Sequence, residues 1–329
     1  MPRSSALANP SSRPRKPAAR CPPEPPPARA IPVARGLSAR FQEKPVIYLF
    51  QVLNGIGLGM LYFLLAVGLS VIFGLLQFVN FAHGAFYLLG AYLTYDLTMR
   101  GFSFWLAMPL ATLAVAGIAA LIEVVLLHRI YKLPHTFHIL VTVGLALIVQ
   151  ELVIIAWGPL GGSVPAPAGL QGVFIMGDFI YPQYRLFTIA FTAVLAGLLW
   201  WLLEGTRLGA IVRGGSESPA NMALLGYNTL RINTAVFGFG AGLAGLAGAL
   251  AAPIRGVEPF MGVEALSVAF VVVVIGGMGS YTGALVAGLL VGVVQSVMTT
   301  LWPEGARLMI YVGMALVIAL MPRGLLGRA

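Results

Sequence analysis

Apolar residues run almost unbroken through positions 46–98, then recur in blocks at 104–127, 137–157, 186–203, 234–252, 265–300 and 308–321. About 20 apolar residues suffice for a helix to cross a bilayer, so the pattern predicts an all-α, polytopic membrane protein of about eight hydrophobic helices. Polar residues punctuate the blocks: Asp96 and Arg100, then His128, Arg129 and Lys132. The stretch 158–182 is rich in glycine and proline and reads as an exposed connection, with short strand pairing at Val173-Phe174-Ile175-Met176. Positions 204–231 form the longest polar region after the first 45 residues.

Two blocks contain polar or glycine-rich interruptions. The first is Asn80-Phe81-Ala82-His83-Gly84. Asn and His side chains are costly in hydrocarbon unless protein satisfies them, and glycine permits a bend or a close approach. Opposed charge assignments at its two ends require residues 46–97 to cross an odd number of times. At ~1.5 Å per residue they are too short for three ~30 Å crossings. One full span plus a pair of half-helices that dips and returns is expected, broken at Asn80–Gly84. Residues 265–300 carry Gly276-Gly277-Met278-Gly279-Ser280 at their centre and receive the same reading. Paired interruptions of this kind point to a transport site. The candidates for a translocation path are Asn80, His83, Gly84, Gln150, Gly276, Gly277 and Gly279. The competing reading of the first interruption is a buried packing joint whose polar groups bond internally. Glu123 and Glu151 also fall within apolar spans; for Glu123, pairing with Arg129 is the plainer account. Gly55 and Gly59, and the four-residue spacing of Ser280, Ala284, Gly288, Gly292 and Ser296, predict close helix packing.

Composition sharpens the class. Hydrophobic residues make up 59% of the 329, charged residues 9%, and mean hydropathy is +0.90. A soluble chain carries about 25% charged residues. The net charge of +9 is concentrated in residues 1–45, which hold nine basic and two acidic residues and eleven of the 22 prolines. That segment is expected to be a disordered Pro/Arg-rich tail, with residues 46–329 as the membrane domain. Basic charge placed this way records topology and contact with membrane lipid, not nucleic-acid binding. It puts the tail, the Arg129/Lys132 loop, the Arg207/Arg213 loop and the Arg323/Arg328 end in the cytoplasm, so both termini are expected there. Cys21 is the only cysteine, and His128, His135 and His138 lack the spacing of a metal site, so no metal or cofactor is expected. A P-loop needs a lysine after glycine. The three lysines, Lys16, Lys44 and Lys132, do not follow one. If ATP drives this protein, another chain binds it.

Within the polar region, Ser218 is placed to cap a short helix with Pro219 at its first position and Gly226 at its end. Such a helix suits a partner's groove, or is an ordinary amphipathic helix at the membrane surface.

Taken together these residues resemble a known family. Asn80-Phe81-Ala82-His83-Gly84 with Tyr87 and Gly90, Gly276-Gly277-Met278-Gly279-Ser280 with Gly283, Arg213 and Glu217 with Leu224-Leu225-Gly226, and Met321-Pro322-Arg323-Gly324-Leu325-Leu326-Gly327 are similar to motifs of branched-chain amino-acid ABC transporter permeases of the LivH type. The resemblance covers about residues 46–329. It implies a type II ABC importer-like fold and a permease subunit without its own ATPase, in the bacterial inner membrane. It also implies partners: two ATP-binding subunits, a second related permease chain and a periplasmic substrate-binding protein. The coupling loop would be 209–228, with Arg213, Glu217, Ala220 and Gly226 as candidates for ATPase coupling. Val268 departs from the pattern, where many members carry lysine. Related permeases carry urea or short amides, so that substrate stands as an alternative. A stand-alone secondary transporter, needing intramembrane carboxylates, and a membrane enzyme or anchor are the readings from other classes.

Overall fold

A computed structural model describes residues 36–131, 133–176, 179–321 and 324–326. The expected disordered tail falls mainly outside the described residues, as do Lys132, Arg323 and Arg328. The chain divides into units of residues 1–43 and 44–329, and the second carries the apolar helices. In chain order the elements are α1 (Gly36–Leu76), α2 (His83–Met99), α3 (Phe104–Ile122), a π turn (Glu123–Leu127), α4 (His128–Ile130), α5 (His135–Trp157), strands β1 (Val173–Met176) and β2 (Phe179–Pro182), α6 (Gln183–Gly205), α7 (Arg207–Glu217), α8 (Pro219–Leu224), α9 (Thr229–Arg255), α10 (Met261–Gly276), α11 (Tyr281–Leu301) and α12 (Ala306–Leu320). The helix α1 begins ahead of the expected boundary at 46, and its apolar length is Ile47–Leu76. Six helices among the described residues are long and apolar enough to cross a membrane, and α10 and α12 are shorter apolar helices. The strand pairing expected at Val173–Met176 is present as an antiparallel hairpin with β2.

The helices form an inner and an outer set. The most apolar stretch of α9 is 83% buried and that of α1 72%, whereas that of α5 is 17% buried, which leaves α5 to face the surrounding medium. Packing in the inner set is backbone against backbone. A Cβ at Gly55 would lie 2.5 Å from the Val293 Cα, and one at Gly59 2.7 Å from the Gly288 carbonyl oxygen, so α1 and α11 touch through glycine on both sides. At Gly68 the same Cβ would meet the Gly240 carbonyl of α9 at 2.5 Å, and at Gly90 it would strike Gly245. Without a hydrophobic drive between helices in lipid, such contacts are how van der Waals attraction is maximised.

Contacts define two faces of the 44–329 unit. On the hairpin face lie the start of α1, β1–β2 and the ends of α2, α5, α9 and α11. Phe50 meets Tyr181 with ring centroids 5.6 Å apart, Ser296 donates to Gln51 Oε1 at 2.8 Å, Trp157 Nε1 donates to Asp96 at 3.3 Å, and Gly162 bridges to Val257. On the loop face lie the end of α1, α7, α8 and the chain end: Leu75 sits against Gly215, and Leu325 N–H donates to the Ile275 carbonyl at 2.7 Å.

This arrangement corrects one expectation. Residues 46–97 begin and end on the same face, because α1 crosses once and α2 returns. Phe50 and Gln51, near the start of the apolar length of α1, and the chain end at Leu325–Leu326 lie on opposite faces, not the same one. Counting the basic tail together with the short loops is what put these two ends on one side.

Gly90→Ala should destabilise the protein by the ~1–3 kcal/mol typical of overpacking, read as a lower melting temperature in detergent. Gly117→Ala, where nothing lies within 4 Å of the new Cβ, should leave it unchanged. Equal melting temperatures for the two variants would contradict the backbone contact.

Candidate translocation site

The first interruption is a true break. After Leu76, Gln77 adopts φ 58°, a left-handed conformation that strains a non-glycine residue, and its side-chain amide donates to the Gly74 carbonyl at 2.7 Å. The chain then folds back along α1. His83 Nε2 lies 3.0 Å from the Leu65 carbonyl oxygen. Leu65 precedes the end of α1 by about three turns, or roughly 16 Å of helix, so α2 begins well inside the body. Asn80 Oδ1 accepts from the Ala82 N–H at 3.1 Å, which satisfies one donor at the start of α2. A carbonyl can only accept, so His83 carries its proton on Nε2 and leaves Nδ1 as a bare acceptor. Both side chains are fully buried, and neither His83 Nδ1 nor Asn80 Nδ2 has a partner among the described residues. Gly84 touches the Gly262 carbonyl of α10, which leaves no room for a side chain.

Gln150 reaches this place as well. With Phe81, Gly84, Gly262 and Leu266 it lines a cavity of about 40 Å³. That is a few times the ~10–15 Å³ that one water needs, so it is a site for water and far smaller than the cavities described next. The second interruption is built differently. Gly277 (φ 100°) and Gly279 (φ 79°) form a tight turn between α10 and α11, and Ser280 Oγ caps α11 by accepting from Gly283 N–H at 3.1 Å. Gly276 packs on Gly283. Gly262, the neighbour of Gly84, and Gly276 sit at opposite ends of α10, about 21 Å apart along the helix. The fold therefore brings Asn80, His83, Gly84 and Gln150 together but keeps Gly276, Gly277 and Gly279 apart from them.

Larger cavities lie along a seam between α1, α6 and α11. On the hairpin face a cavity of about 240 Å³ is lined by Asn54, Leu58, Arg185, Thr188, Arg255 and Ser296 among others. On the loop face a second, of about 360 Å³, is lined by Ser70, Gly74, Glu204, Arg213, Gly279 and Tyr281 among others. Between them Phe63 meets Tyr281 edge to face, with centroids 5.4 Å apart, and the Tyr281 hydroxyl donates to the Ala196 carbonyl of α6. Of the residues singled out in the two interruptions, Gly279 and Ser280 line this seam. Tyr62, Tyr281, Arg255 and Gln295 were missed by sequence reasoning. Gln295 carries the same signal as Gln150, an amide within an apolar span.

The polar loop has the expected local structure. Ser218 accepts from the Asn221 N–H at 3.3 Å with Pro219 opening α8. Gly226 (φ 85°) closes it: its N–H bonds to the Ala223 carbonyl at 3.0 Å, and that of Tyr227 to the Met222 carbonyl at 3.1 Å. Arg213 is used internally, donating to the Leu203 carbonyl and pairing with Glu204 at 3.0 Å. Glu217 is exposed at the end of α7. Ala220 belongs to α8 by its backbone, and its side chain lies outside the described residues.

Comparison with known proteins decides the family. The family described as "Branched-chain amino acid transport system / permease component" matches residues 51–321. The high-affinity branched-chain amino acid transport system permease protein LivH of Salmonella typhimurium is 30% identical over 304 residues, covering 87% of this chain and 97% of that protein. BraD of Pseudomonas aeruginosa, of the same description, is 29% identical over 85% of this chain and 96% of its own. LivM of Salmonella typhimurium is 30% identical over 81% of this chain and 68% of its own. The chain belongs to this permease family. No solved structure matches it significantly.

Among the described residues the permease buries one carboxylate, Glu123, in its loop-face half. The π turn turns Glu123 inward, where it accepts from the Tyr131 hydroxyl and from Thr234 Oγ1 at 2.6 Å, with His128 Nε2 at 2.9 Å. These partners replace the Arg129 pairing considered from sequence. Burial first, and the Glu123 carboxylate second, hold the Tyr131 hydroxyl far above its ordinary pKa. The cluster ties α3 to the first turns of α9.

Gly84→Leu should abolish uptake by the permease, because α2 and α10 have no space between them at that point. A wild-type uptake rate in this variant would remove the case for the close approach.

Proposed function

We propose that this chain is the membrane-crossing subunit of an ATP-driven importer for branched-chain or related hydrophobic amino acids, working by alternating access. The observation that carries the reading is the 206–228 segment. It stands on one face, opposite the polar cavity on the other, and presents Leu224 at 86% and Leu225 at 73% exposure beside the exposed carboxylate of Glu217. Exposed apolar side chains on a capped short helix suit a partner's groove. Two ATP-binding subunits would dock there, on residues 209–228. A second related permease chain would complete the pore, and a periplasmic substrate-binding protein would deliver cargo to the hairpin face. The loop face is then cytoplasmic and the membrane is the bacterial inner membrane, with the chain end inside and the start of α1 outside.

Gly215 serves this arrangement. A Cβ at Gly215 would come within 2.8 Å of Leu75, so α7 is seated against the end of α1 and a push on α7 reaches α1. A stand-alone secondary transporter would need carboxylates along the path. Neither cavity of the seam fits that well: the hairpin-face cavity has none, and Glu204 in the other is paired.

In proteoliposomes holding the complete complex, leucine uptake should require ATP and the partner ATPases. Glu217→Arg should cut uptake and ATPase co-purification together while leaving the melting temperature of the permease unchanged. Full co-purification with that variant would count against the docking site.

A further inference from the structure

The hairpin-face cavity holds two guanidinium groups and no carboxylate. Arg185 donates to Asn54 Oδ1, a neutral acceptor. Arg255 Nη2 lies 3.4 Å from the Tyr62 hydroxyl, which gives its own proton to Gln295 Oε1 at 2.7 Å. Among the described residues neither arginine has a carboxylate within 4.0 Å. The carboxylate on the neighbouring helix α10, Glu264, is engaged by Arg307 at 3.1 Å. Helix dipoles account for only half of the pair. Arg255 ends α9, where a cation is favourable, but Arg185 stands in the first turn of α6, where it is not. Two positive charges thus converge from different helices on a cavity of about 240 Å³ whose lining holds no carboxylate; Glu264 acts on Arg255 through its charge from outside that lining. Leu58, Leu61 and Ile254 give the same cavity an apolar wall.

We propose that this cavity binds the carboxylate of the transported amino acid, with Arg185 and Arg255 as its anion contacts and the apolar wall receiving the side chain. The proposal rests on the amino-acid reading above and deepens it. A guanidinium matches a carboxylate with two parallel N–H donors. A neutral cargo such as urea or a short amide offers no charge to hold, so the pair of arginines selects against it. Solvent reaches Arg255 in the open cavity, so cargo arriving at the hairpin face meets it before the Phe63–Tyr281 contact.

The test uses the complete complex in proteoliposomes, with leucine as cargo at saturating binding protein. Arg185→Gln and Arg255→Gln should each lower the maximal uptake rate at least about tenfold, the loss expected for a charge-assisted hydrogen bond. The binding-protein concentration for half-maximal rate should not change. Arg→Lys at either place should retain more rate than Gln. Assembly with the ATPases and basal ATP hydrolysis report that the variants are folded. Wild-type rates in both Gln variants would overturn the proposal, as would recovery of rate at higher binding protein, which would assign the arginines to docking instead. Should the variants not assemble, the wild-type complex in nanodiscs is titrated with leucine and with leucinol. At least about tenfold tighter binding of leucine is expected, and equal binding overturns the site. Absence of leucine uptake by the wild-type complex would sink the amino-acid reading itself, an outcome separate from any effect of the arginines.

Discussion

Backbone contact between inner helices is the constraint on which this structure depends. In lipid, moving an apolar side chain from solvent to helix interface gains little, because both surroundings are hydrocarbon. Attraction must come from dispersion at close range, and a side chain between two backbones holds them apart. Glycine removes that spacer at Gly55 and Gly59 against α11, at Gly68 against α9, and at Gly84 against α10. Because the contacting atoms are backbone, no rotamer change can relieve an added methyl group. The inner set therefore has little freedom to breathe within itself, and motion must come as displacement of whole helices.

Polar groups are placed according to that stiffness. Asn80 and His83 sit where α2 begins inside the body, each with one satisfied and one unsatisfied atom. An unsatisfied buried polar atom costs about 1–3 kcal/mol, so this crease is held by its surroundings and not by its own bonds. Glu123 shows the opposite solution, a buried carboxylate with several donors around it. The seam between α1, α6 and α11 is a third case, polar at its two ends and closed by aromatic contact between them. A polar residue in an apolar span thus has at least three fates here: strained joint, internal clasp and cavity lining.

Much of the architecture was legible in the sequence, for physical reasons that differ by residue. Long apolar blocks admit few structures in lipid, so the helices were readable from hydropathy alone. Ser218, Pro219 and Gly226 act through local backbone chemistry, and α8 forms and ends where they dictate. The break at Asn80–Gly84 was readable because polar residues there conflict with the surrounding run. The relation between the two interruptions was not, since both look alike in one dimension while α10 separates them. Arg255 and Arg185 were hidden because an arginine at a helix end ordinarily marks an interface, and only the fold shows both facing one cavity. The expectation that residue 46 and the chain end share a side failed because positive charge in a long tail was weighed as though it lay in a short loop.

That α1 runs from one face to the other matters for how a signal crosses the molecule. The apolar length of α1, 30 residues of unbroken helix, spans about 45 Å. At its loop-face end Leu75 touches Gly215 of α7, and at its hairpin-face end Asn54 and Gln51 bond Arg185 and Ser296 beside the arginine-bearing cavity. In between, Gly55 and Gly59 hold it to α11, which lines both cavities of the seam. A helix without a hinge, in contact with a stiff neighbour, transmits a push as rigid-body movement. Under the proposed function, partner subunits pressing on α7 need no chain of small rearrangements to alter the far cavity. Tilting α1 and α11 together against α6 changes the Asn54–Arg185 and Tyr281–Ala196 hydrogen bonds at once, because both bonds join the pair to α6.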